Sequence, residues 1–594
     1  MGKKYYKRAS TKNDWLYSIP ILAIVLFVPM IVLLKVNSVD SNISKLMLGM
    51  EVNYDFFAFY KANLFTFATG LVVLATFLYM FTKGLKFNRT IAYIPLIIYV
   101  AAIIISTVVS PYKELSLAGT IDRYEGFYAL LSYLLICAVC VNMVNNEKVV
   151  RYLMISLGTS AIIISLIGLF QLIGCDLFKS DFGLKLIIPA KYHELIGNVN
   201  FKFTQIYTTF TNPNYVGSYM AMIILLSLTY LIFIKGKRYK IFAALVLILS
   251  LVNLFGSRSR GGLIGLVFGL MLLLIIAARQ MLKNKIIIIG AIAGIIVVFG
   301  AVNSFTDGLL VNRLVGIVQF TKQDNTSILK IIPMDDKLLM TSDGDESYLF
   351  YDNNDVVFQN TNQEEIEVLD VDGILKLAGE KHKSLTFSFS KYNDLPVLEV
   401  SFKSLKVSII PLGDKYMILN PANQLVEITE VESWGFEGYE RLGSSRGYIW
   451  SRTLPLLKEN ILYGQGPDTY ALAFPQNDVF GKYIALSDPW MVVDKPHNMY
   501  LQIGVNTGVI SLLAFLALYL IYFFQSILLY IRGNIDNIYM ISGVALFLAT
   551  AAYMAVGFFN DSVVAVAPIF WVLLGSGISM NIKNKAERLK TSNK

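Results

Sequence analysis

The stretch YVGSYMAMIILLSLTYLIFIKGKRYKIFAALVLILSLVNLFGSRSRGG, residues 215–262, decides the fold of this chain. It contains two apolar runs, 215–234 and 239–255, on either side of the basic segment KGKRYK at 235–240. An apolar helix of about 20 residues crosses the roughly 30 Å hydrocarbon core of a bilayer. Basic residues between two such runs mark a cytoplasmic loop. We therefore predict an α-helical, polytopic membrane protein.

The composition of all 594 residues supports this fold class. Hydrophobic residues make up 55% of the chain, charged residues 16%, and the mean hydropathy is +0.57, which is too apolar for a soluble globular protein. The apolar runs are continuous rather than alternating, so they exclude an outer-membrane barrel. The net charge of +9 does not indicate nucleic-acid binding, because the basic residues cluster in short loops between apolar runs. Twelve candidate spans are predicted, at 15–35, 62–82, 91–109, 126–144, 153–174, 215–234, 239–255, 261–278, 285–303, 499–525, 539–558 and 563–580.

The distribution of Lys and Arg predicts the orientation of these spans. With a cytoplasmic N-terminus, the segments rich in Lys and Arg all fall inside, while the short outside loops contain few basic residues. The inside segments are 1–14, 83–90, 145–152, 235–240, 279–284, 526–538 and 581–594. The short outside loops are 36–61, 110–125, 256–260 and 559–562. The expected location is therefore the plasma membrane, with multiple passes and both termini in the cytoplasm.

The domain organisation follows from the same pattern. Residues 1–303 are predicted to form the first nine helices of the membrane domain, and 498–594 the last three helices and a cytoplasmic tail. Between them, 304–497 is a large extracytoplasmic loop. It contains a β-rich insert at 318–432, with predicted strands at 384–390 and 397–410 and a turn at 393–396, followed by a helical catalytic loop at 440–497.

Three sets of residues on the outside are candidates for chemistry. Arg258 and Arg260 lie in GSRSRGG at 256–262, where the positive-inside rule disfavours arginine. Snorkelling would explain them, but flanking glycines and the start of a helix favour an anion site. Arg446 lies near Trp450 on a predicted helix, and His497 lies at the mouth of the tenth span. A histidine there is either structural or a general base.

No metal site is predicted from these patterns. Asp370-Val371-Asp372 matches a short acidic metal-binding pattern, but its place in the β-rich insert favours a β-turn. The sequence contains no phosphate-binding glycine loop of the nucleotide-hydrolase type, no HExxH and no serine-elbow motif. Any energy for a reaction must therefore arrive with the substrate, and no cofactor is expected.

Five short motifs follow one another along the chain. They are TFTNPNY at 209–215, SRSRGG at 257–262, Arg446 with Trp450, GQGP at 464–467, and His497-Asn498 followed by Gln502 and Thr507-Gly508. This ordered set resembles the O-antigen ligase and O-antigen polymerase superfamily over about 123–303 and 440–525. The β-rich insert is a departure from the best-known ligases, and it leaves the acceptor undetermined.

The resemblance implies a lipid-donor glycosyltransferase fold of about 12 helices. Its members transfer a glycan from an undecaprenyl diphosphate carrier to an acceptor hydroxyl at the outer face of the plasma membrane, with inversion and without a metal. The matching positions would make Arg260 and Arg446, together with Arg258, the diphosphate-binding residues and His497 the base. Supporting residues would be Asn212, Asn214, Asn498 and Trp450. The expected partners are the lipid-linked glycan, membrane lipid and a saccharide, lipid or protein acceptor, but no nucleic acid.

Other functions remain open from the sequence. A surface polysaccharide ligase, a polymerase and a protein O-glycosyltransferase share these motifs. A glycan flippase or transporter would also have about twelve spans, but it should show half-repeats and ionisable residues near mid-span. A membrane-anchored adhesion or sensor protein could use the β-rich insert, although it would not need arginines at helix mouths.

Overall fold

The structure is a computed structural model that describes residues 14–281 except 85, ten scattered residues between 282 and 328, and 329–592 except 335, 353–354, 372–373, 379–381 and 414. The α-helices up to the β-rich insert are α1 Ile19–Phe27, α2 Ser41–Leu46, α3 Phe59–Lys83, α4 Tyr93–Val109, α5 Lys113–Ala118, α6 Phe127–Met143, α7 Glu147–Leu172, α8 Asp181–Ile187, α9 Pro213–Phe233, α10 Lys237–Ser257 and α11 Arg260–Met281. Those after it are α12 Leu442–Glu459, α13 Tyr470–Ala473, α14 Val479–Leu486, α15 Met499–Thr507, α16 Val509–Tyr530, α17 Ile538–Val556 and α18 Ala567–Ser592. Short 3₁₀ helices lie at Asp14–Ser18, Val28–Met30, Leu177–Lys179 and Ala190–Asn198.

Six described helices are long and apolar enough to cross a membrane, namely α3, α7, α9, α10, α16 and α17. Four shorter apolar segments lie at Asp14–Met30, Tyr93–Val109, Phe127–Met143 and Arg260–Ile276. These ten segments match predicted spans in order. Only seven of the 19 residues of the predicted ninth span, 285–303, are described, and the predicted twelfth span, 563–580, falls on α18, which is not among these ten segments, so the count of twelve stays a prediction.

Two predicted spans differ from the structure. The run 499–525 is not one helix, because Gly508 adopts a left-handed φ of +98° and separates α15 from α16. The amide of Val509 donates to the Asn460 carbonyl, 2.9 Å away, instead of continuing the helix. The run 15–35 is also shorter than predicted, since the helical segment ends at Met30 and strand β1 (Lys35–Ser38) pairs with β2 (Val52–Asp55). Pro29, which lacks an N–H, lies in that last turn.

Helices α9 and α17 form the centre of the bundle. In each, 89% of the most apolar window is buried inside the protein, against 28% for α3 and 33% for α16. Helix α9 packs against α10, α11 and α17. At the crossing of α9 and α11, a Cβ on Gly262 would lie 2.7 Å from the Gly217 Cα, so this pair of glycines sets the close approach of the two helices. The N-terminus of α9 and the start of α11 are thereby held together.

The β-rich insert consists of two antiparallel sheets. Strands β3 Lys330–Met334, β4 Lys337–Ser342, β5 Asp345–Asp352 and β6 Asp355–Asn360 form one sheet in that order. Strands β7 Val368–Val371, β8 Ile374–Leu377, β9 Leu385–Tyr392, β10 Leu395–Phe402, β11 Leu405–Leu412, β12 Lys415–Leu419 and β13 Leu425–Glu427 form the other, ordered β13-β12-β11-β10-β9-β8-β7. Side chains from both sheets, including Leu338, Phe358, Phe387 and Val400, share one core.

Strands occur where the sequence predicts them, but one of the two predicted strands is divided. The first predicted strand matches β9, and the two-residue turn after it has positive φ at Asn393 and Asp394. The second predicted strand, 397–410, is in fact parts of two strands, β10 and β11, which reverse direction where Lys403 has a φ of +56°. Asp370 pairs with Leu375 and Val371 with Ile374 between β7 and β8, while Asp372, the last residue of the predicted turn, lies outside the described residues, so that turn stays a prediction.

The orientation of the chain in the membrane can be tested by cysteine labelling. After the three native cysteines are replaced, Glu114→Cys and Lys391→Cys, at exposed positions, should react with an impermeant thiol reagent on intact cells. Lys237→Cys, also exposed, should stay unlabelled until the membrane is opened, because basic loops are retained inside. Ser257 and Asp561 lie on the predicted outer side too, but both are buried and would report poorly. Labelling of Lys237→Cys in sealed cells would reverse the predicted topology.

Candidate active site

Residues 557–562 connect α17 to the turn before α18 and meet most of the predicted site residues at one end of the bundle. We call this segment the 557–562 loop. The Phe559 carbonyl accepts hydrogen bonds from Nε and Nη2 of Arg446, at 3.1 and 2.8 Å. The Phe558 carbonyl accepts from Asn498 Nδ2 at 3.2 Å. Asn560 Nδ2 donates to the Asn214 carbonyl and to Ser218 Oγ. The loop therefore joins α9, α12 and α15.

His497 is paired with a carboxylate of this loop. Its Nδ1 lies 3.3 Å from Asp561 Oδ2, and the Asp561 side chain is fully buried while the His497 side chain is 28% exposed. Burial alone would raise the pKa of Asp561, but the charges of His497, Arg123 and Lys495 hold it well below its ordinary value. An ionised Asp561 favours the neutral imidazole tautomer with its proton on Nδ1, which leaves Nε2 of His497 as the basic nitrogen. This is the arrangement that a general base requires.

The backbone around His497 is fixed on both sides. His497 has a left-handed φ of +50°, a conformation that costs energy in a residue with a Cβ. Before it, the Pro496 carbonyl accepts from Trp450 Nε1 at 2.9 Å. After it, Asn498 Oδ1 caps α15 by accepting from the amides of Tyr500 and Leu501. Trp450 and Asn498 thus support His497 through its backbone.

Arg446 and Arg260 form the cationic part of the site. Helix α12 contains left-handed residues at Gly443, Ser444 and Ser445, so regular helix starts at Arg446 and its side chain is held in the first turn. Burial lowers the pKa of Arg446 from its ordinary value, and the nearby charge of Arg260 adds to this effect while Asp561 opposes it. Both guanidiniums still remain protonated. Two half-buried cations close together are stabilised by an anion between them.

Arg258 and Arg260 have different places in the backbone. Arg258 has a left-handed φ of +55° and ends α10, whereas Arg260 begins α11. Ser259 Oγ accepts from the Gly262 amide at 3.2 Å and caps the first turn of α11. Arg260 therefore lies at the positive end of a helix, beside Asn560 and Phe559 of the 557–562 loop, which lie 3.4–3.5 Å from a Cβ built on Gly261.

The segment 209–214 has a structural part in this arrangement. Lys61, a fully buried residue, donates from Nζ to the carbonyls of Thr209 and Ile31, at 2.7 and 2.6 Å. Asn212 Oδ1 accepts from the Asn214 amide and caps α9. Of the two predicted asparagines, Asn212 is thus a helix cap, and Asn214 meets the 557–562 loop through its carbonyl oxygen.

A second layer of charges surrounds the His497–Asp561 pair. Arg123 Nε lies 2.7 Å from Asp468 Oδ1, and both side chains are nearly buried. Lys495 pairs with Asp494 at 3.1 Å. With Arg260 and Arg446 there are four cations against the three carboxylates of Asp468, Asp494 and Asp561. These seven groups alone have a net charge of +1 before His497 is counted, which favours an anionic substrate.

Three residues of the site were not predicted from the sequence. They are Asp561, Asn560 and Glu125. The local signal for the first two was the polar pair Asn560-Asp561 within an otherwise apolar stretch, which was interpreted only as a short outside loop. Glu125 lies two residues before α6, and its Oε1 accepts from Ser562 Oγ and Tyr133 Oη at 2.7 and 2.8 Å. Gln502, which was named only as a family motif, donates to Glu125 Oε2 and accepts from the Ser562 amide.

Glu125 gives the site a pH-dependent stability. Burial raises its pKa to about 7, although Arg123 and the hydroxyl donors oppose that effect. Because an unfolded glutamate titrates near pH ~4.3, the folded protein binds more protons between that pH and about 7. Its stability should therefore fall as the pH rises through this window.

The Glu125→Gln variant should lack this contribution. The thermal midpoints of the variant and the wild type are measured in detergent. We expect the difference between them to shift steadily in favour of the variant from pH 5 to pH 7.5. Glu114→Gln, at an exposed position, is the matched control and should show no such trend. A difference between Glu125→Gln and wild type that stays constant across this range would contradict the assignment.

Comparison with known proteins bears on residues 401–516, which match a family model described as O-antigen ligase. The matched range includes Arg446, Trp450, His497 and Asn498, but it ends before Asp561 and begins after Arg260. A search of curated proteins finds no match to the chain. The part of the chain that contains the His497 side of the site thus has the sequence pattern of an O-antigen ligase domain, and the resemblance to the O-antigen ligase superfamily is confirmed.

Proposed function

We propose that this protein transfers a glycan from an undecaprenyl diphosphate carrier to an acceptor hydroxyl at the outer face of the plasma membrane. The O-antigen ligase match supports glycan transfer of the ligase or polymerase type in a membrane protein. The observation that carries the finer proposal is the His497–Asp561 pair beside Arg446 and Arg260. This pair supports the proposal of a base next to an anion site at one end of the bundle.

The chemistry follows from these positions. The acceptor oxygen attacks the anomeric carbon of the donor, forming the new glycosidic bond with inversion as the bond from that carbon to the diphosphate oxygen breaks. Nε2 of His497 accepts the hydroxyl proton, and Asp561 stabilises the resulting imidazolium. The negative charge that grows on the leaving diphosphate is stabilised by Arg260 and Arg446, whose planar guanidiniums can each donate two parallel hydrogen bonds.

The distribution of charge suits a lipid-borne diphosphate. The cations lie where apolar helices end, so a carrier could keep its polyprenyl tail in lipid while its diphosphate contacts the arginines. Arg258, at the end of α10, is proposed as a further contact for the same diphosphate. The β-rich insert is proposed to select or orient the acceptor, because it follows the membrane helices in the chain and packs against the α14 segment of the catalytic loop.

Single substitutions test the roles of the base and the cations. We expect three variants, His497→Ala, Arg260→Ala and Arg446→Ala, each to lower glycan transfer by at least about 100-fold. A general base contributes at least this much to a reaction rate, and so does a hydrogen-bond donor positioned to stabilise the developing negative charge. Arg→Lys should rescue poorly, because an ammonium cannot make the two parallel bonds of a guanidinium. Transfer is measured in membranes with equal amounts of inserted protein, and Lys458→Ala, exposed on the same helix as Arg446, is the control. Normal product from His497→Ala would remove it as the base.

Asp561→Asn tests the positioning of His497. The amide cannot stabilise the imidazolium, so kcat should fall by about 10²- to 10⁴-fold. The KM for the lipid-linked donor should not rise, because the change removes a negative charge from beside Arg446. A raised KM with an unchanged kcat would instead assign Asp561 to substrate binding.

The species that accumulates in cells without the protein distinguishes the possible acceptors. Cells that lack the protein should accumulate a lipid-linked glycan. Single lipid-linked repeats would identify a polymerase, and a long lipid-linked polymer would identify a ligase. An unglycosylated surface protein would identify a protein O-glycosyltransferase. Absence of any lipid-linked intermediate would contradict the proposed reaction.

A further inference from the structure

A groove separates the β-rich insert from the helical catalytic loop. It has a volume of about 530 Å³ and is bordered by the small sheet, by the linker 428–440, and by α12 and α14. The β-rich insert is firmly attached here, because Val479 and Phe480 of α14 are buried in its core and Tyr483 Oη donates to the Phe402 carbonyl at 3.5 Å. The two walls of the groove therefore belong to one packed unit.

Helix α12 joins this groove to the candidate active site. Arg446 and Trp450, four residues apart, share the helix face that meets Phe559 and Pro496. Tyr448 and Arg452, also four residues apart, lie on a different face and both contact Asp478 Oδ2, at 3.1 and 2.9 Å. Tyr448, Arg452 and Asp478 line the groove. One rigid helix thus presents its opposite sides to the two sites.

The accessible lining of the groove is polar. Most of its apolar members, such as Ile418, Ile428 and Phe480, are buried and support the walls. Apart from Lys330 and Gly435, the exposed members have hydroxyl, amide or carboxylate side chains, namely Glu346, Thr429, Glu430, Ser433, Glu437 and Asn477. Such a surface offers many hydrogen-bonding groups and little apolar area, which suits a polyhydroxylated ligand better than a peptide segment with apolar anchors.

Two exposed aromatic rings lie on the same linker. Trp434 is 44% exposed and Tyr439 is 40% exposed; neither lines the groove, but each is flanked in the chain by two residues that do, Ser433 and Gly435 for Trp434 and Gly438 and Glu440 for Tyr439. The Trp434 backbone is anchored by its amide, which donates to the Ser451 carbonyl at 2.8 Å. Flat rings that are apolar on the face and polar at the edge suit the C–H face of a sugar ring.

The charge of the lining indicates which saccharides fit. Asp478 and Arg452 pair with each other. The other charged lining residues are Glu346, Glu430, Glu437 and Glu440, against a single lysine, Lys330. This surplus of carboxylates repels phosphate and uronic acid groups, and it attracts hydroxyl or ammonium donors.

We infer that this groove binds a saccharide chain without acidic groups, and that this chain is the acceptor of the transfer reaction. The second half of the inference rests on the proposed function. The first half stands on the polar lining and negative charge of the groove and on the exposed aromatic rings of the linker that borders it.

The test measures binding to the full chain in lipid nanodiscs, without any donor. The probes are a panel of oligosaccharides built from neutral hexoses, N-acetylhexosamines, hexosamines or hexuronic acids, together with short acidic and basic peptides. At least one neutral or amino-bearing oligosaccharide should bind. Trp434→Ala should weaken that binding by about tenfold through loss of the ring contact. Glu365→Gln changes an exposed residue of the β-rich insert that neither lines the groove nor is flanked by residues that do, and it should leave this binding unchanged.

A charge-reversal variant is expected to gain binding of an acidic saccharide. The double variant Glu430→Lys with Glu437→Lys changes two exposed side chains and should bind hexuronic acid oligosaccharides that the wild type rejects. The inference is overturned if no oligosaccharide binds the wild type, if hexuronic acids bind it best, or if peptides bind and saccharides do not. It is also overturned if Trp434→Ala and the double variant both bind like the wild type.

The two proposals fail separately. His497→Ala should abolish transfer and keep saccharide binding, because His497 does not line the groove. If the wild type transfers no glycan but binds as described, the proposed reaction fails and the groove remains. If transfer occurs with no saccharide binding in the groove, the reaction remains and the acceptor site lies elsewhere.

Discussion

The 557–562 loop is subject to a constraint that organises the whole site. It connects two helices that are buried in the protein, so its carbonyl oxygens need donors from other parts of the chain. Arg446 and Asn498 supply them at Phe559 and Phe558, and Asn560 in turn donates to α9. Satisfying the loop backbone thus brings a guanidinium and the cap of α15 together. Asp561 is held beside His497 as a result.

The charge balance of the site depends on the same packing. A buried carboxylate such as Asp561 stays ionised only among cations, and Arg123, Lys495 and His497 provide them. Glu125 lies just behind, bonded to Ser562 and Gln502, with its pKa raised to about 7 by burial. When Glu125 is protonated, the positive charge of the site is undiminished, and when it ionises, four carboxylates face four cations.

Much of this arrangement could be predicted from the sequence. The apolar runs located ten segments, and motif order indicated Arg260, Arg446 and His497. Asp561 could not be found in this way, because its partner lies 64 positions earlier in the chain and a single aspartate in a short loop has no periodic signal. The break at Gly508 was missed for a similar reason, since it depends on a hydrogen bond from Val509 to the distant Asn460 carbonyl. The alternation of apolar and polar residues over 397–410 is continuous in the sequence, so it gave no sign that the chain reverses direction at Lys403.

The two faces of α12 have a geometrical consequence. Arg446 and Arg452 are six residues apart on one helix, which is about 9 Å along its axis at a rise of ~1.5 Å per residue. Neither end can move without the other, because the helix is anchored at Phe559, Pro496 and Asp478. The rigid helix therefore fixes the separation between the groove and His497. On the proposed function, a saccharide bound in the groove is held at a set distance from His497, and this spacing selects which hydroxyl along the saccharide reaches the proposed base.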